Sequence, residues 1–206
     1  MENSKWTGSA WGILGWNIII TLASLLFFVP LVFVIPKYLK WYYSKMTIDG
    51  QQLEFREDGP WFGFIGWMLF SIITLGLGSF YASKKMNQWT ASRVHVTGNE
   101  GSSNWTGSAL GILGYGVLQS LSIYLFFIPF LFVIVVVEKW YTSNTYIDDK
   151  QLEFRYEGAY WEMIGWIFFV IVTLGLASFF VEKKVTQWSV ENTHFVSLPS
   201  NSNDNF

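Results

Sequence analysis

Four stretches of this chain carry no charged residue: Trp6 to Pro36, Gly59 to Ser83, Gly101 to Val137 and Met163 to Val181. A helix needs about 20 mostly apolar residues to cross the hydrocarbon core of a bilayer, and each stretch is at or near that length. Only 14% of the residues are charged, against about 25% in ordinary soluble domains. Hydropathy therefore predicts that lipid, not water, surrounds the apolar segments. The start of the chain (Met1-Glu-Asn-Ser-Lys-Trp-Thr-Gly) lacks the basic region and short apolar core of a cleaved leader, so the first window is expected to act as its own insertion signal.

The windows come in two related pairs. The stretch from Gly66 to Trp89 turns basic after Tyr81 and has Thr-Leu-Gly-Leu at its centre; it recurs from Gly165 to Trp188. Residues 99 positions apart match without a gap: Trp6-Thr-Gly-Ser-Ala with Trp105-Thr-Gly-Ser-Ala, Lys40-Trp41-Tyr42 with Lys139-Trp140-Tyr141, Gln52-Leu-Glu-Phe-Arg56 with Gln151-Leu-Glu-Phe-Arg155, and His95 with His194. Self-similarity of this kind governs the fold expectation. The expected fold is a membrane all-α protein with short β-hairpins: four transmembrane helices, built as a tandem duplication of a two-helix unit about a pseudo-twofold. The expected divisions are a first repeat over 1–97, a linker over 98–104, a second repeat over 105–196 and a polar tail over 197–206.

A fainter regularity lies inside each copy. Trp41, Trp89, Trp140 and Trp188 each follow an apolar window and a basic residue, and seven residues later come Ile48, Val96, Ile147 and Phe195. This reads as an apolar helix, a basic-aromatic exit and a short extended segment, used four times. Tryptophan settles at headgroup level and lysine snorkels to the surface. Lys40, Trp41, Lys84, Lys85, Trp89, Lys139, Trp140, Lys183, Lys184 and Trp188 are thus expected interfacial anchors. Thr47-Ile48 and Leu53-Glu-Phe55 read as a hairpin about Asp49-Gly50, with Asp148-Asp149 as the turn in the second copy. Val94-His-Val96 and Asn104-Trp-Thr106 suggest a third, looser hairpin across the join.

Two topologies compete. Four full spans divide lysine and arginine almost equally between the two sides, so the usual orienting bias is nearly nil. Helices that dip in and return, breaking at Thr-Leu-Gly or at Pro30 and Pro129, would put every basic residue on one side. Their turns would need to be buried in protein. The four-span arrangement with a cytoplasmic N-terminus is the preferred expectation.

Polar groups inside the windows are few. Asn17, Gln119, Ser71, Ser122, Thr74 and Thr173 are expected to join helices by hydrogen bonds. Gly8, Gly12, Gly15, Gly107, Gly111 and Gly114 fall at small-residue spacing and, with Gly76 and Gly175, are expected at helix contacts or kinks. Glu162 stands where the first copy has Gly63, which makes it a candidate functional carboxylate. His95 and His194 are equivalent by repeat and form a candidate functional pair, yet two histidines alone make a poor metal site. The absence of cysteine excludes thiolate chemistry and disulfides. A net charge of -2 implies no attraction to nucleic acid. No phosphate-cradling loop, nucleophile triad or zinc signature is present, so neither enzyme activity, metal nor cofactor is expected.

Thr74-Leu-Gly-Leu-Gly-Ser-Phe80, followed by Lys84-Lys85, Trp89 and His95-Val-Thr-Gly98, resembles the YjgN-like bacterial inner-membrane proteins. The resemblance implies alternating apolar helices and short glycine-containing extended segments in a bacterial plasma membrane. It carries no activity and no catalytic residue. The functional expectation is therefore a multi-pass, non-enzymatic integral membrane protein acting on lipid or on protein partners, including copies of itself. The alternative is a small transporter or channel with its path between the repeats.

Overall fold

A computed structural model of the chain describes residues 3–26, 30–57, 62–124, 128–156 and 161–196. The first half runs β1 (Lys5–Trp6), α1 (Ala10–Leu25), α2 (Leu31–Tyr43), β2 (Met46–Ile48), β3 (Gln51–Phe55), α3 (Gly63–Ile73), α4 (Ser79–Ala91) and β4 (Val94–Val96). The second follows the same order: β5 (Asn104–Trp105), α5 (Ala109–Tyr124), α6 (Ile128–Ser143), β6 (Thr145–Ile147), β7 (Lys150–Phe154), α7 (Trp161–Val172), α8 (Ser178–Glu191) and β8 (Thr193–Phe195). Each half closes its own four-stranded antiparallel sheet, ordered β1-β2-β3-β4 and β5-β6-β7-β8.

The sheets grow from their tight turns. Asp49 and Gly50 have φ of 47° and 77°, and Asp148 and Asp149 have 49° and 65°. Both central residues of each two-residue turn are therefore left-handed, which matches the twist of the flanking strands. Ile48 pairs with Gln51, and Leu53, Glu54 and Phe55 pair with Val96, His95 and Val94. The two-residue period then puts Leu53, Phe55, Val94 and Val96 on one buried face. The strands 94–96 and 104–105 do not pair with each other as a hairpin: β4 joins β3, and β5 joins β6.

Each first helix begins at a serine cap. Ser9 and Ser108 accept from the amides of Gly12 and Gly111, both at 2.9 Å, which satisfies one of the unpaired amides that open a helix. The same glycines make room for a tryptophan. A Cβ at Gly12 would lie 2.5 Å from the Trp41 ring, and one at Gly111 would lie 2.4 Å from Trp140. These rings close on Trp6 and Trp105 edge to face, at 5.9 and 5.6 Å. The core is shared: Trp6, Ile48, Leu53 and Val94 from the first half pack in one cluster with Ile147, Leu152 and Val190 from the second.

The four-span fold is overturned. No helix among the described residues is long and apolar enough to cross a membrane. The longest have 16 residues, about 24 Å at 1.5 Å per residue, against a hydrocarbon core of about 30 Å. The apolar windows fold back because each is broken inside. Thr74-Leu75-Gly76 ends α3, with φ of 51° at Leu75 and 87° at Gly76. The Gly76 amide donates 2.7 Å to the Ser71 carbonyl, and Gly175 does the same to Val170 at 2.8 Å; this is the six-residue closure that terminates helices. Thr74 Oγ1 donates to the Phe70 carbonyl and accepts from the Gly78 amide, both at 2.8 Å, so one hydroxyl ends α3 and starts α4. In the first window α1 stops at Leu25 and α2 starts after Pro30.

With the spans go the readings built on them: the integral membrane protein, the transporter or channel, and the multi-pass location in a bacterial inner membrane. The repeated two-helix unit is corrected as well, since each half holds four helices and a sheet.

Candidate functional site

The two halves are clasped by reciprocal pairs. The turn residue Asp49 reaches the last strand of the other half: its Oδ1 lies 2.6 Å from His194 Nδ1, and its Oδ2 accepts from the Phe195 amide at 2.9 Å. Asp148 does the same in reverse, with Oδ1 at 2.7 Å from His95 Nδ1 and Oδ2 accepting from the Val96 amide at 2.7 Å. Ser4 and Ser103 accept from the Asp49 and Asp148 amides at 3.0 and 2.9 Å. Ser4 also donates 2.7 Å to the Thr193 carbonyl. The final helix of each half lies against the other half, α8 on α1 and β1, and α4 on α5 and β5.

Between the halves this clasp leaves a cavity of about 380 Å³, within the range of small-molecule sites. Equivalent positions line it from both sides: Tyr42 with Tyr141, Ile48 with Ile147, Leu53 with Leu152. Thr90 and Ser189 are likewise equivalent. At one pair the halves differ in charge. The lining residue Leu39 of α2 corresponds to Glu138 of α6. Glu138 Oε2 accepts from Ser189 Oγ at 3.1 Å. Burial pushes its carboxyl above the ordinary glutamate range, with the Ser189 hydrogen bond opposing that shift. Burial also raises the phenols: Tyr43 is pushed up to about 12, and Tyr42 and Tyr141 rise too. They remain neutral donors at every ordinary pH. Thr186 beside Tyr42 and Asn87 beside Tyr141 oppose the rise.

The indoles of the two halves also differ. Trp6 Nε1 donates to the Tyr42 carbonyl at 3.3 Å. Trp105, which lines the cavity and is 1% exposed, has a buried Nε1 with no hydrogen-bond partner. A buried donor without a partner costs about 1–3 kcal/mol.

His95 and His194 are part of the clasp, each facing a carboxylate of the opposite half. Among the described residues no group of three His, Asp or Glu could hold a metal. Glu162 falls in the first turn of α7, and its side chain lies outside the described residues. Asn17 Nδ2 donates 2.9 Å to Glu182 of α8. Thr74 and Thr173 spend their hydroxyls at the helix breaks. None of Asn17, Gln119, Thr74 and Thr173 lines the cavity.

The tryptophans of the expected belts sit where helix ends meet the sheets. Trp89 packs on Phe55 at 5.7 Å and Trp188 on Phe154 at 5.1 Å. Trp41 and Trp140 fill the glycine seats. Lys40, Lys139 and Lys184 are exposed, while Lys84, Lys85 and Lys183 are half-buried. Gly8 and Gly107 lie against the rings of Trp6 and Trp105, Gly15 and Gly114 border open space, and Gly76 and Gly175 supply positive φ.

Sequence reasoning missed Glu138, Asp49 and Asp148. The comparison that singled out Glu162 against Gly63 shows the same kind of departure at Glu138 against Leu39. Comparison of the chain with family models, with characterised proteins and with solved structures gives no match.

Proposed function

We propose that the protein binds, without transforming it, a small molecule with an apolar body and a cationic head in the cavity between its halves. The carrying observation is Glu138, the one carboxylate among the described lining residues, which are otherwise aliphatic, thioether, aromatic, hydroxyl and amide. Packing alone is served at the equivalent position by Leu39. A desolvated carboxyl costs stability, so such a group in a cavity marks a site with a use. Among the described residues no lysine or arginine lines the volume, which leaves an anionic ligand without a cationic partner there. An ammonium would pair with Glu138 in a poorly screened setting and donate to nearby hydroxyls such as Ser189 and Thr90.

Calorimetric titration with n-octylamine, n-octanol and octanoate tests this reading. The amine is expected to saturate at one site per chain, at least about tenfold tighter than the alcohol; octanoate should not bind. Glu138→Gln should erase the preference for amine over alcohol. Equal binding of all three, or a preference that survives Glu138→Gln, refutes the proposal.

The same residue makes a stability prediction. Because the folded state holds the Glu138 proton to higher pH than the unfolded state does, folding loses stability as pH rises from the ordinary glutamate range through the raised value. Glu138→Leu, which copies position 39, removes that loss. The variant should be about 1–3 kcal/mol more stable than the parent at neutral pH. The difference should shrink as pH falls from the raised value to the ordinary glutamate range, and stay constant below it. Urea unfolding at several pH values measures both.

A further inference from the structure

We infer that the two Leu-Gly-Leu turns form a paired docking surface for the face of an anionic phospholipid leaflet, entered to shallow depth and not crossed. Leu75 and Leu174 are 92% and 91% exposed. Both also have φ of 51°, a left-handed conformation that suits glycine or asparagine and strains a leucine. Water gives no reason for leucine there on either count, yet both halves have it. Ile73, Leu77, Val172 and Leu176 beside them are exposed as well, so each turn is an apolar end with no charge of its own.

Two further observations select lipid as the occupant. The first is charge. Seven residues beyond Leu77 and Leu176 come Lys84-Lys85 on α4 and Lys183-Lys184 on α8, about 10 Å along a helix. Interfacial helices bury their apolar faces to about 5–10 Å, so these ammonium groups reach anionic headgroups when the leucines reach acyl chains. The neighbouring acid, Glu182, is engaged by Asn17. The second is geometry. The contacts between halves are reciprocal, Asp49 with His194 and Asp148 with His95, as in a twofold arrangement. Points related by a twofold stand at equal height along its axis, so one flat surface meets both turns. A second copy of the chain would have to bring four lysines against four lysines.

Flotation of the full chain with vesicles of phosphatidylcholine, alone or mixed with phosphatidylglycerol, tests this. Binding to the mixed vesicles is expected, weakened by added salt. The double variant Leu75→Gly/Leu174→Gly should bind at least about 100-fold more weakly, while its Tm rises by about 3 °C from relief of strain. Leu77→Ser/Leu176→Ser, at ordinary backbone angles, should weaken binding in the same way. Undiminished vesicle binding by both variants overturns the inference. So does a dimer in vesicle-free solution that the same variants dissociate, since the turns would then be a contact between copies. The cavity proposal is untouched by either result, because its readout is amine binding.

Discussion

Asp148→Ala should lower the unfolding free energy by about 2–6 kcal/mol, because two buried groups lose their hydrogen-bond partner at about 1–3 kcal/mol each. The Asp148 side chain is 2% exposed and that of its partner His95 is 12% exposed. Truncation leaves His95 Nδ1 and the Val96 amide facing the hole where two carboxylate oxygens had been, at a site almost closed to solvent. The mirror-related Asp49→Ala gives the control. There the side chains are 30% and 28% exposed, so solvent takes over part of the lost bonding and the cost should be nearer about 1–2 kcal/mol. Asp148→Asn, which keeps an acceptor for one of the two donors, should fall between them. Urea unfolding of the three variants decides the matter. Equal losses at Asp148 and Asp49 would show that burial does not set the strength of the clasp.

Trp105→Ala should cost about 3–5 kcal/mol, the range for deleting a large aromatic from a packed core. The ring is 1% exposed and lies against Trp140 and Tyr141 at 5.6 and 5.5 Å. Gly107 approaches it so closely that a Cβ there would lie 2.2 Å from the ring, so the hole cannot be filled from that side without moving backbone. A phenylalanine series separates the ring from its N–H. Trp6→Phe loses the bond to the Tyr42 carbonyl, whereas Trp105→Phe loses a donor that had no partner. Trp6→Phe should therefore cost about 1 kcal/mol more than Trp105→Phe, measured by the same unfolding transitions. The opposite order would mean that the Trp105 N–H is satisfied in solution.

Both series probe contacts between residues far apart in the chain, and the reading of the sequence divides along that line. The short-range features are legible. Asp49-Gly50 and Asp148-Asp149 announce tight turns because residues in left-handed φ are few and chemically recognisable. The regular step from each of four tryptophans to an extended segment corresponds to β2, β4, β6 and β8. Thr-Leu-Gly was seen as a place where a helix can break. All of these depend on interactions within about six residues, which the local sequence specifies by itself.

Whether the apolar windows run on or fold back was decided elsewhere. Hydropathy sums side chains over a window and takes no account of dihedral angles, so two short helices joined at Leu75-Gly76 score like one long one. Once the turn forms, α4 finds its neighbours in α5 and β5 of the other half, and a crossing helix has none of these. The charged sites were hidden for the same reason. Asp49 reads as a turn residue and His194 as a surface histidine until the fold brings them within 2.6 Å across a separation of 145 residues. Glu138 reads as the first charge after an apolar run until the first half closes a cavity over it. Sequence alone determined the tight turns and the extended segments that follow the tryptophans, because neighbours in the chain supply those interactions. Only tertiary structure decided the clasp and the cavity, because each joins residues that no local signal connects.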